Sequence, residues 1–421
     1  MPWNIQNKKI TVLGAARSGI AAANVIGRLG GIPKISEFKS RDSAAMELAG
    51  LDQPQQVQIE CGGHSQAFIE DSDYVVLSPG VRRDIAPVQW ARARGIEVMG
   101  EIEFAYRLCP CPIVAITGSN GKTTTATLIA EILRKSGRQA VLCGNIGSPF
   151  SKYVLDLKSS DIVVLEISSF QLETTVGFKP HVAVWLNFSQ NHLDRHKDLQ
   201  EYFEAKKRIF ANQDGTDWAA LNAAQKEFQT LAQTLKSKVI FFNGADKPQG
   251  IDNPNYLAAM AAAKALGIGE DVSRRVFADF KGVEHRLELV RTVCGVDYIN
   301  DSKSTTAESG RWALDQAVKP MIMICGGRNK HIDFSVLRDL AGRKVKRMIA
   351  IGEAKAVIQK TFEGVVPVDA SASLEEAVGL AQKYAVSGDC IVLSPMCASF
   401  DMFTDYEHRG RAFKEIVSKL H

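Results

Sequence analysis

The chain has 421 residues, 45% of them apolar and 23% charged, with a formal net charge of +4. This is the composition of a globular protein of about two to three domains, able to bury cores without disulfides or structural metals. The small, dispersed positive charge suits anionic small substrates and is too mild to argue for nucleic acid; the N-terminus MPWNIQNKKI carries no apolar signal core and no stretch has membrane-span length, so a cytoplasmic protein without membrane insertion is expected.

Strand-length apolar runs recur along the chain, each ending in glycine, serine or a polar residue. They are KITVLG (9–14), YVVLSPG (74–80), IVAITG (113–118), IVVLEISS (162–169), VAVWLNFS (182–189), VIFFNG (239–244), MIMICGG (321–327), MIAIGE (348–353) and CIVLSP (390–395). Continuous β-branched runs predict strands buried on both faces, hence parallel sheets. Helical patterns lie between them, as in TATLIAEILRKSG (125–137) and SLEEAVGLAQKYAVSG (373–388). The alternation predicts an α/β protein. Three groups follow, at 1–100, 101–282 and 283–421. The eight cysteines are scattered, with one close pair, Cys109 and Cys111. A single Cys-x-Cys is a poor zinc case, so buried reduced thiols are expected.

The first glycine-rich turn, GAARSG (14–19), carries Ala16 where a dinucleotide fingerprint has its middle glycine. A side chain there hinders close backbone approach, and such a turn alone says little. The second, GSNGKTT (118–124), departs from the general phosphate-loop pattern because only two residues separate its glycines. Gly118 and Gly121 free the backbone of Ser119 and Asn120 to turn inward, Lys122 supplies a point charge, and Thr123 a hydroxyl able to hold Mg²⁺. A buried strand precedes the loop and an amphipathic helix follows through Thr124, its N-terminus facing the anion. The helix dipole contributes only ~0.3–1 kcal/mol, so aimed amides and Lys122 must supply most of the binding. A glycine turn that merely starts a helix is the plain alternative.

Glu166 ends the run IVVLE, where a carboxylate can hold a metal or its water, or can simply cap a helix. His192, Asp194 and His196 follow another buried run, WLNFS, and loops after strands share the ligand edge of an α/β sheet. In DLQEYFEAKKRIF (198–210) the apolar stripe is Leu199, Tyr202, Phe203 and Phe210. Lys206 lies on that stripe. Such a lysine usually snorkels to water. The sharper reading is a desolvated lysine whose pKa burial lowers by up to ~3–5 units, leaving a neutral amine able to take up CO₂ as a carbamate.

These blocks resemble a known family. GSNGKTTT (118–125), VLEISSFQLE (164–173), NHLDRH (191–196) and EAKKRIF (204–210) are similar to the Mur ligases, whose phosphate loop has this two-residue spacing. GVEHRLE (282–288), NDSKSTT (300–306), GGRNKHIDF (326–334) and LSPMCASFDMF (393–403) resemble the D-glutamate-adding branch. The resemblance implies three α/β domains: an N-terminal Rossmann-like UDP-binding domain, a central P-loop ATPase-type domain with a parallel sheet, and a C-terminal Rossmann-like domain that binds the amino acid. It implies a monomeric, ATP-dependent ligase of peptidoglycan precursor synthesis, joining D-glutamate to UDP-N-acetylmuramoyl-L-alanine. Another Mur ligase with a different amino acid, a folyl-polyglutamate-type enzyme and a P-loop switch module remain as alternatives.

Carried over by position, Lys122 would bind the β/γ phosphates, and Thr123 with Glu166 a first Mg²⁺. His192 and a carbamate on Lys206 would hold a second, with Mn²⁺ as the alternative ion. Asn145 matches a substrate-binding asparagine, and Asn255 the last position of the adenine motif. Arg286 and His285 match the domain-junction motif, and Asp301 and Lys303 would face the nucleotide and acyl phosphate. Thr305, Lys330 and Ser399 would take the D-glutamate carboxylates, with Tyr406 closing that pocket. In the first domain Arg17 and Ser18 would meet the UDP pyrophosphate, Glu37 the uracil or ribose, and Ser78 to Gly80 form a second UDP loop. The chain departs from the family pattern at Asn191, where an acidic residue is usual, at Asp252 in the reduced adenine motif DNPN (252–255), and at Tyr406, where phenylalanine is common.

Overall fold

A computed structural model describes residues 3–189, 195–328 and 332–420. The chain divides into two compact units, Met1–Phe280 and Lys281–His421. Every apolar run quoted above forms a strand.

Among the described residues, the first unit holds two sheets. One is built of β1 (Lys9–Leu13), β2 (Ile32–Glu37), β3 (Gln58–Cys61), β4 (Tyr74–Leu77) and β5 (Glu97–Gly100), all parallel, in the order β3-β2-β1-β4-β5. The strand order reverses between β1 and β4, and a crevice opens at such a point beyond the strands' carboxyl ends. The other comprises β6 (Ile113–Thr117), β7 (Ala140–Gly144), β8 (Ile162–Glu166), β9 (Val182–Trp185), β10 (Trp218–Asn222) and β11 (Lys238–Phe242). Its order is β11-β10-β9-β6-β8-β7, again all parallel. The central strands β6, β8 and β9 are buried at every position, as their unbroken β-branched sequences require.

A continuous apolar core runs from Ile10 and Val12 of the first sheet through Phe104 and Phe150 to Trp185 of the second. The helix Glu101–Tyr106 secures this seam with two buried carboxylates. Glu103 accepts the backbone N–H groups of Val176, Gly177 and Phe178 within 3.0 Å. Glu101 accepts that of Ser151 at 2.6 Å, and burial raises its pKa. Hydrogen bonds to a charged group contribute about 1.5–3 kcal/mol each, so the Glu103 cluster is a strong local fastener.

The second unit has one sheet: β12 (Glu288–Val293), β13 (Val296–Asn300), β14 (Met321–Gly326), β15 (Val345–Ile351), β16 (Val368–Ala370) and β17 (Cys390–Leu393), in the order β12-β13-β17-β14-β15-β16. The pairs from β13 to β16 are parallel. The expectation of purely parallel pairing fails at one edge, because β12 and β13 form an antiparallel hairpin. Its turn places Cys294 and Gly295 at φ 49° and 77°, the left-handed pair that a two-residue hairpin loop needs.

All eight cysteines are free thiols. Cys111, Cys143, Cys325, Cys390 and Cys397 are buried as expected, whereas Cys294 is exposed in the hairpin turn. No helix among the described residues is long and apolar enough to cross a membrane.

Candidate active site

In the second sheet, the loops after β7, β8, β6 and β9 emerge side by side at one carboxyl edge, because those strands are neighbours. Asn145, Glu166, the glycine-rich loop and Asn187 stand on these loops in that order. The loop turns at Gly118 (φ 155°) and Gly121 (φ 82°). A Cβ at Gly121 would lie 2.2 Å from Asn255 Oδ1, and one at Gly118 3.0 Å from the Leu186 Cβ. Only glycine fits both positions, and Asn255 is thereby brought against the loop.

The helix Lys122–Lys135 starts at Gly121, and its first turn, through Thr123 and Thr124, directs N–H groups out of its end. Ser119 and Asn120 differ from expectation. Their N–H groups bond Asn187, at 3.1 Å to its carbonyl and 2.9 Å to its Oδ1, so these two amides brace the loop. The Lys122 ammonium lies back over the loop, donating to the carbonyls of Gly118 (2.9 Å) and Ser119 (3.1 Å).

Glu166 is buried at the end of β8. It accepts Thr123 Oγ1–H at 2.8 Å and Asn145 Nδ2–H at 2.7 Å. The strand end, the helix start and the β7 loop thus meet on one carboxylate. An anion held there by neutral dipoles, beside a hydroxyl, is a donor set that fits Mg²⁺.

Lys206 sits on the helix Leu199–Lys207 and is only 2% exposed. Its amine donates to Gly118 O (3.1 Å) and Thr117 Oγ1 (3.3 Å) and lies 4.8 Å from the centre of the Tyr202 ring. No ion pair among the described residues engages it. Lys122 donates to the same Gly118 carbonyl. Two ammonium groups so placed repel by about 3 kcal/mol at an effective dielectric of ~20. Burial first, and the Lys122 charge second, hold the Lys206 pKa well below that of an ordinary lysine, with Glu166 opposing them. The desolvated reading of this lysine therefore has its geometry. Its place on the stripe needs one correction: Leu199 is 41% exposed, and the buried face is Tyr202, Ala205 and Lys206. The 3.6-residue period alone does not say how wide the buried face is.

Asn187 and Tyr202, without an assigned part in the sequence reading, complete the edge together with the expected His196. Asn187 holds Asn120 from both sides, and the Tyr202 hydroxyl lies 3.3 Å from Ser119 Oγ. Buried His196 meets Ser169 Oγ at 3.0 Å through Nε2. Desolvation lowers its pKa. No spacing rule singles out Asn187 or Tyr202; both read as ordinary strand-end and core residues.

In the first sheet, Gly14 turns at φ 91° and Gly19 allows the turn to close, since a Cβ there would lie 2.0 Å from Gly14 O. Ser78 Oγ donates to that same carbonyl at 2.7 Å. Arg17 is exposed and Ser18 half-buried at the start of the helix Arg17–Arg28, and Gly80 is exposed. Glu37 accepts the N–H groups of Ala15 (2.7 Å) and Lys39 (2.9 Å), so its carboxylate braces the turn.

In the unit Lys281–His421, Asp301, Lys303 and Thr305 follow β13, Ser399 and Tyr406 follow its neighbour β17, and His285 and Arg286 precede β12. His285 and Leu287, at φ 64° and 45°, bend the chain around Arg286. Non-glycine residues in that region cost about 1–3 kcal/mol each, and surrounding bonds enforce them. Leu287 N–H donates to Asp301 Oδ1 (3.2 Å), His285 O accepts Lys303 N–H (3.0 Å), and Asn300 Nδ2 meets His285 Nδ1 (2.9 Å). The Lys303 ammonium lies 5.9 Å from the Tyr406 ring centre. Thr305 is half-buried beside the capping Thr306, and Ser399 is buried after β17. Buried Arg409 clamps the two loops, donating to Ser302 O (2.8 Å) and Cys397 O (3.1 Å). His192 and Lys330, like Asn191 and Asp194, lie outside the described residues.

Asp301 is buried, and desolvation raises its pKa from 3.8 to about 7, against the pull of Ser394 and Arg286. The unfolded state therefore loses its proton first as pH rises. Stability associated with Asp301 is full below pH ~4 and is lost progressively up to pH ~7, by about 4 kcal/mol at most. Asp301→Asn should lack this dependence. Urea unfolding at pH 5 and pH 8 is expected to show the variant gaining stability relative to the parent at the higher pH.

Residues 8–100 match the family model described as the Mur ligase MurD-like N-terminal domain, and residues 116–264 that of the Mur ligase middle domain. The UDP-N-acetylmuramoylalanine–D-glutamate ligase of Koribacter versatilis is 38% identical, over 99% of this chain and 98% of that protein. The protein of the same name from Chlorobaculum parvum is 39% identical, over 100% and 99%. Among solved structures, the UDP-N-acetylmuramate–alanine ligase MurC of Thermotoga maritima superimposes with a TM-score of 0.58 at 17% identity, covering 98% of this chain and 99% of that one; the likeness is one of fold.

Proposed function

The chain belongs to the Mur ligase family, and from that premise we infer that it joins D-glutamate to UDP-N-acetylmuramoyl-L-alanine at the expense of ATP, releasing ADP and phosphate, in cytoplasmic peptidoglycan precursor synthesis. The observation that carries the reading is the convergence of Lys122, Thr123, Glu166 and a buried Lys206 on one loop edge. The full-length likeness to D-glutamate ligases supports the choice of substrates.

A carboxylate is a poor electrophile, so the alanyl carboxylate must be activated. Transfer of the γ-phosphoryl group to it yields an acyl phosphate. The D-glutamate amine attacks the acyl carbon, a tetrahedral intermediate forms, and phosphate leaves. The protein's task is to place three polyanions in line and offset their repulsion.

Lys122 and the first-turn amides would bind the β/γ phosphates once the ammonium leaves the Gly118 and Ser119 carbonyls. Thr123 and Glu166 would hold one Mg²⁺, and His192 with a carbamate on Lys206 the other. Bound there, the ions supply charge neutralisation between the transferring phosphoryl group and the acid. Asn145, already bonded to Glu166, would orient the acyl end of the substrate. Arg17, Ser18, Ser78 and Gly80 would receive the UDP diphosphate, with Glu37 bracing their turn. In the unit Lys281–His421, Arg286, Asp301 and Lys303 would serve the nucleotide and acyl phosphate, and Thr305, Lys330, Ser399 and Tyr406 the D-glutamate.

Phosphate release tests the reading. Turnover is expected only when UDP-N-acetylmuramoyl-L-alanine, D-glutamate and ATP are all present, and other amino acids should not replace D-glutamate. ATP hydrolysis indifferent to both partners would refute it.

A further inference from the structure

Five side chains of the unit Met1–Phe280 take no part in this chemistry, yet they form one connected set. Arg83, on the loop after β4, donates from Nη1 to Glu173 O at 3.0 Å, and its Nε lies 3.3 Å from Glu173 Oε2. Glu173 follows Glu166 by one short helix, Ser169–Leu172. From the opposite direction, Arg195 on the loop after β9 donates to two consecutive carbonyls of the same β4 loop, Gly80 O (3.4 Å) and Val81 O (3.3 Å). Its guanidinium lies 4.5 Å from the centre of the Phe170 ring. Its neighbour His196 stacks on Phe170 and puts Nδ1 3.4 Å from Glu173 Oε1.

The loop at 80–83 is thus gripped by two arginines. One grip leads to the strand end that carries Glu166. The other arises three residues beyond His192 in the chain. A plain stability role is the alternative, but this seam already has a continuous core and the three-amide Glu103 cluster. Long, partly exposed guanidinium–carbonyl bonds add little to that. What they add is orientation, because a planar fork fixes two carbonyls at once.

We propose that Arg195, with Arg83 as its counterpart, is a positioning residue for the sugar nucleotide. It holds the Ser78–Val81 turn in its receiving shape and ties that turn to the segments bearing the phosphoryl-transfer residues. Its positive charge also favours a diphosphate at the turn. The inference rests on the function proposed above.

In the full-length chain, Arg195→Ala is expected to raise KM for UDP-N-acetylmuramoyl-L-alanine about tenfold, with at most about a twofold change in kcat and in KM for ATP and D-glutamate. Arg195→Lys should fall between, since an ammonium keeps the charge without the fork. Amide exchange across 78–83 should quicken in Arg195→Ala while the melting temperature holds. Exchange is read without turnover, so it judges the tether even if the parent chain proves inactive as a ligase, which would sink the functional reading alone. An active parent whose Arg195→Ala variant keeps both its KM for the sugar nucleotide and its exchange pattern overturns the proposal. Equal rises in all three KM values overturn it too.

Discussion

Lys206→Ala is expected to lower kcat about 10³-fold, the scale seen when a preorganised group at developing charge is removed. Nucleotide binding should survive, because Lys122 and the helix N-terminus remain. Solvation is the origin of the effect. A fully charged ammonium buried without a counter-ion costs several kcal/mol, so the group discharges instead. At Lys206 the neighbouring Lys122 adds to that pressure. A neutral amine can add to CO₂, forming an N–C bond and releasing a proton, and the proposed product would be an anion beside Glu166. Its removal would leave a metal position short of one carboxylate. Formate or acetate should therefore restore part of the activity of Lys206→Ala. Parent-like turnover in the variant, measured as phosphate release, would contradict this role.

Glu166→Gln is expected to cost about as much, near 10³-fold in kcat, while leaving the fold as stable or more so. The carboxylate is buried and accepts Asn145 through Oε1 and Thr123 through Oε2; glutamine keeps one oxygen for Asn145, and the Thr123 hydroxyl can turn to accept from the new amide N–H. Replacing a buried charge by a neutral isostere is often neutral or stabilising. What glutamine lacks is the negative charge that a divalent cation requires. Thermal unfolding and phosphate release, measured on the same sample, should diverge: activity lost, melting temperature kept. A variant that loses both in proportion would mean that Glu166 is a structural cap.

Much of this edge could be read from residue types. The unbroken runs of β6, β8 and β9 declared strands buried on both faces, and the glycines at 118 and 121 declared a turn that no side chain allows. Lys206 was legible only as an anomaly, a cation on an apolar stripe. Its depth comes from Tyr202 and the Gly118 carbonyl, which reach it through tertiary packing. Short strands with mixed patterns gave little signal. In β2, Lys34 is buried because its ammonium donates to the carbonyls of Phe68 and Asp71, partners more than thirty residues away. The antiparallel β12–β13 edge was hidden for a different reason, since its polar, exposed face carries no buried run. Arg195 and Glu173 were unremarkable charges in sequence, and only the fold sets them against the 80–83 loop.

The proposed carbamate on Lys206, an amine whose pKa burial holds low, is the feature on which the inferred mechanism turns. Equilibrating the protein with ¹³C-bicarbonate and recording its ¹³C NMR spectrum tests this directly. A protein-bound carbamate resonance is expected in the parent chain and is expected to be missing in Lys206→Ala. A parent that is fully active yet shows no such resonance would contradict it.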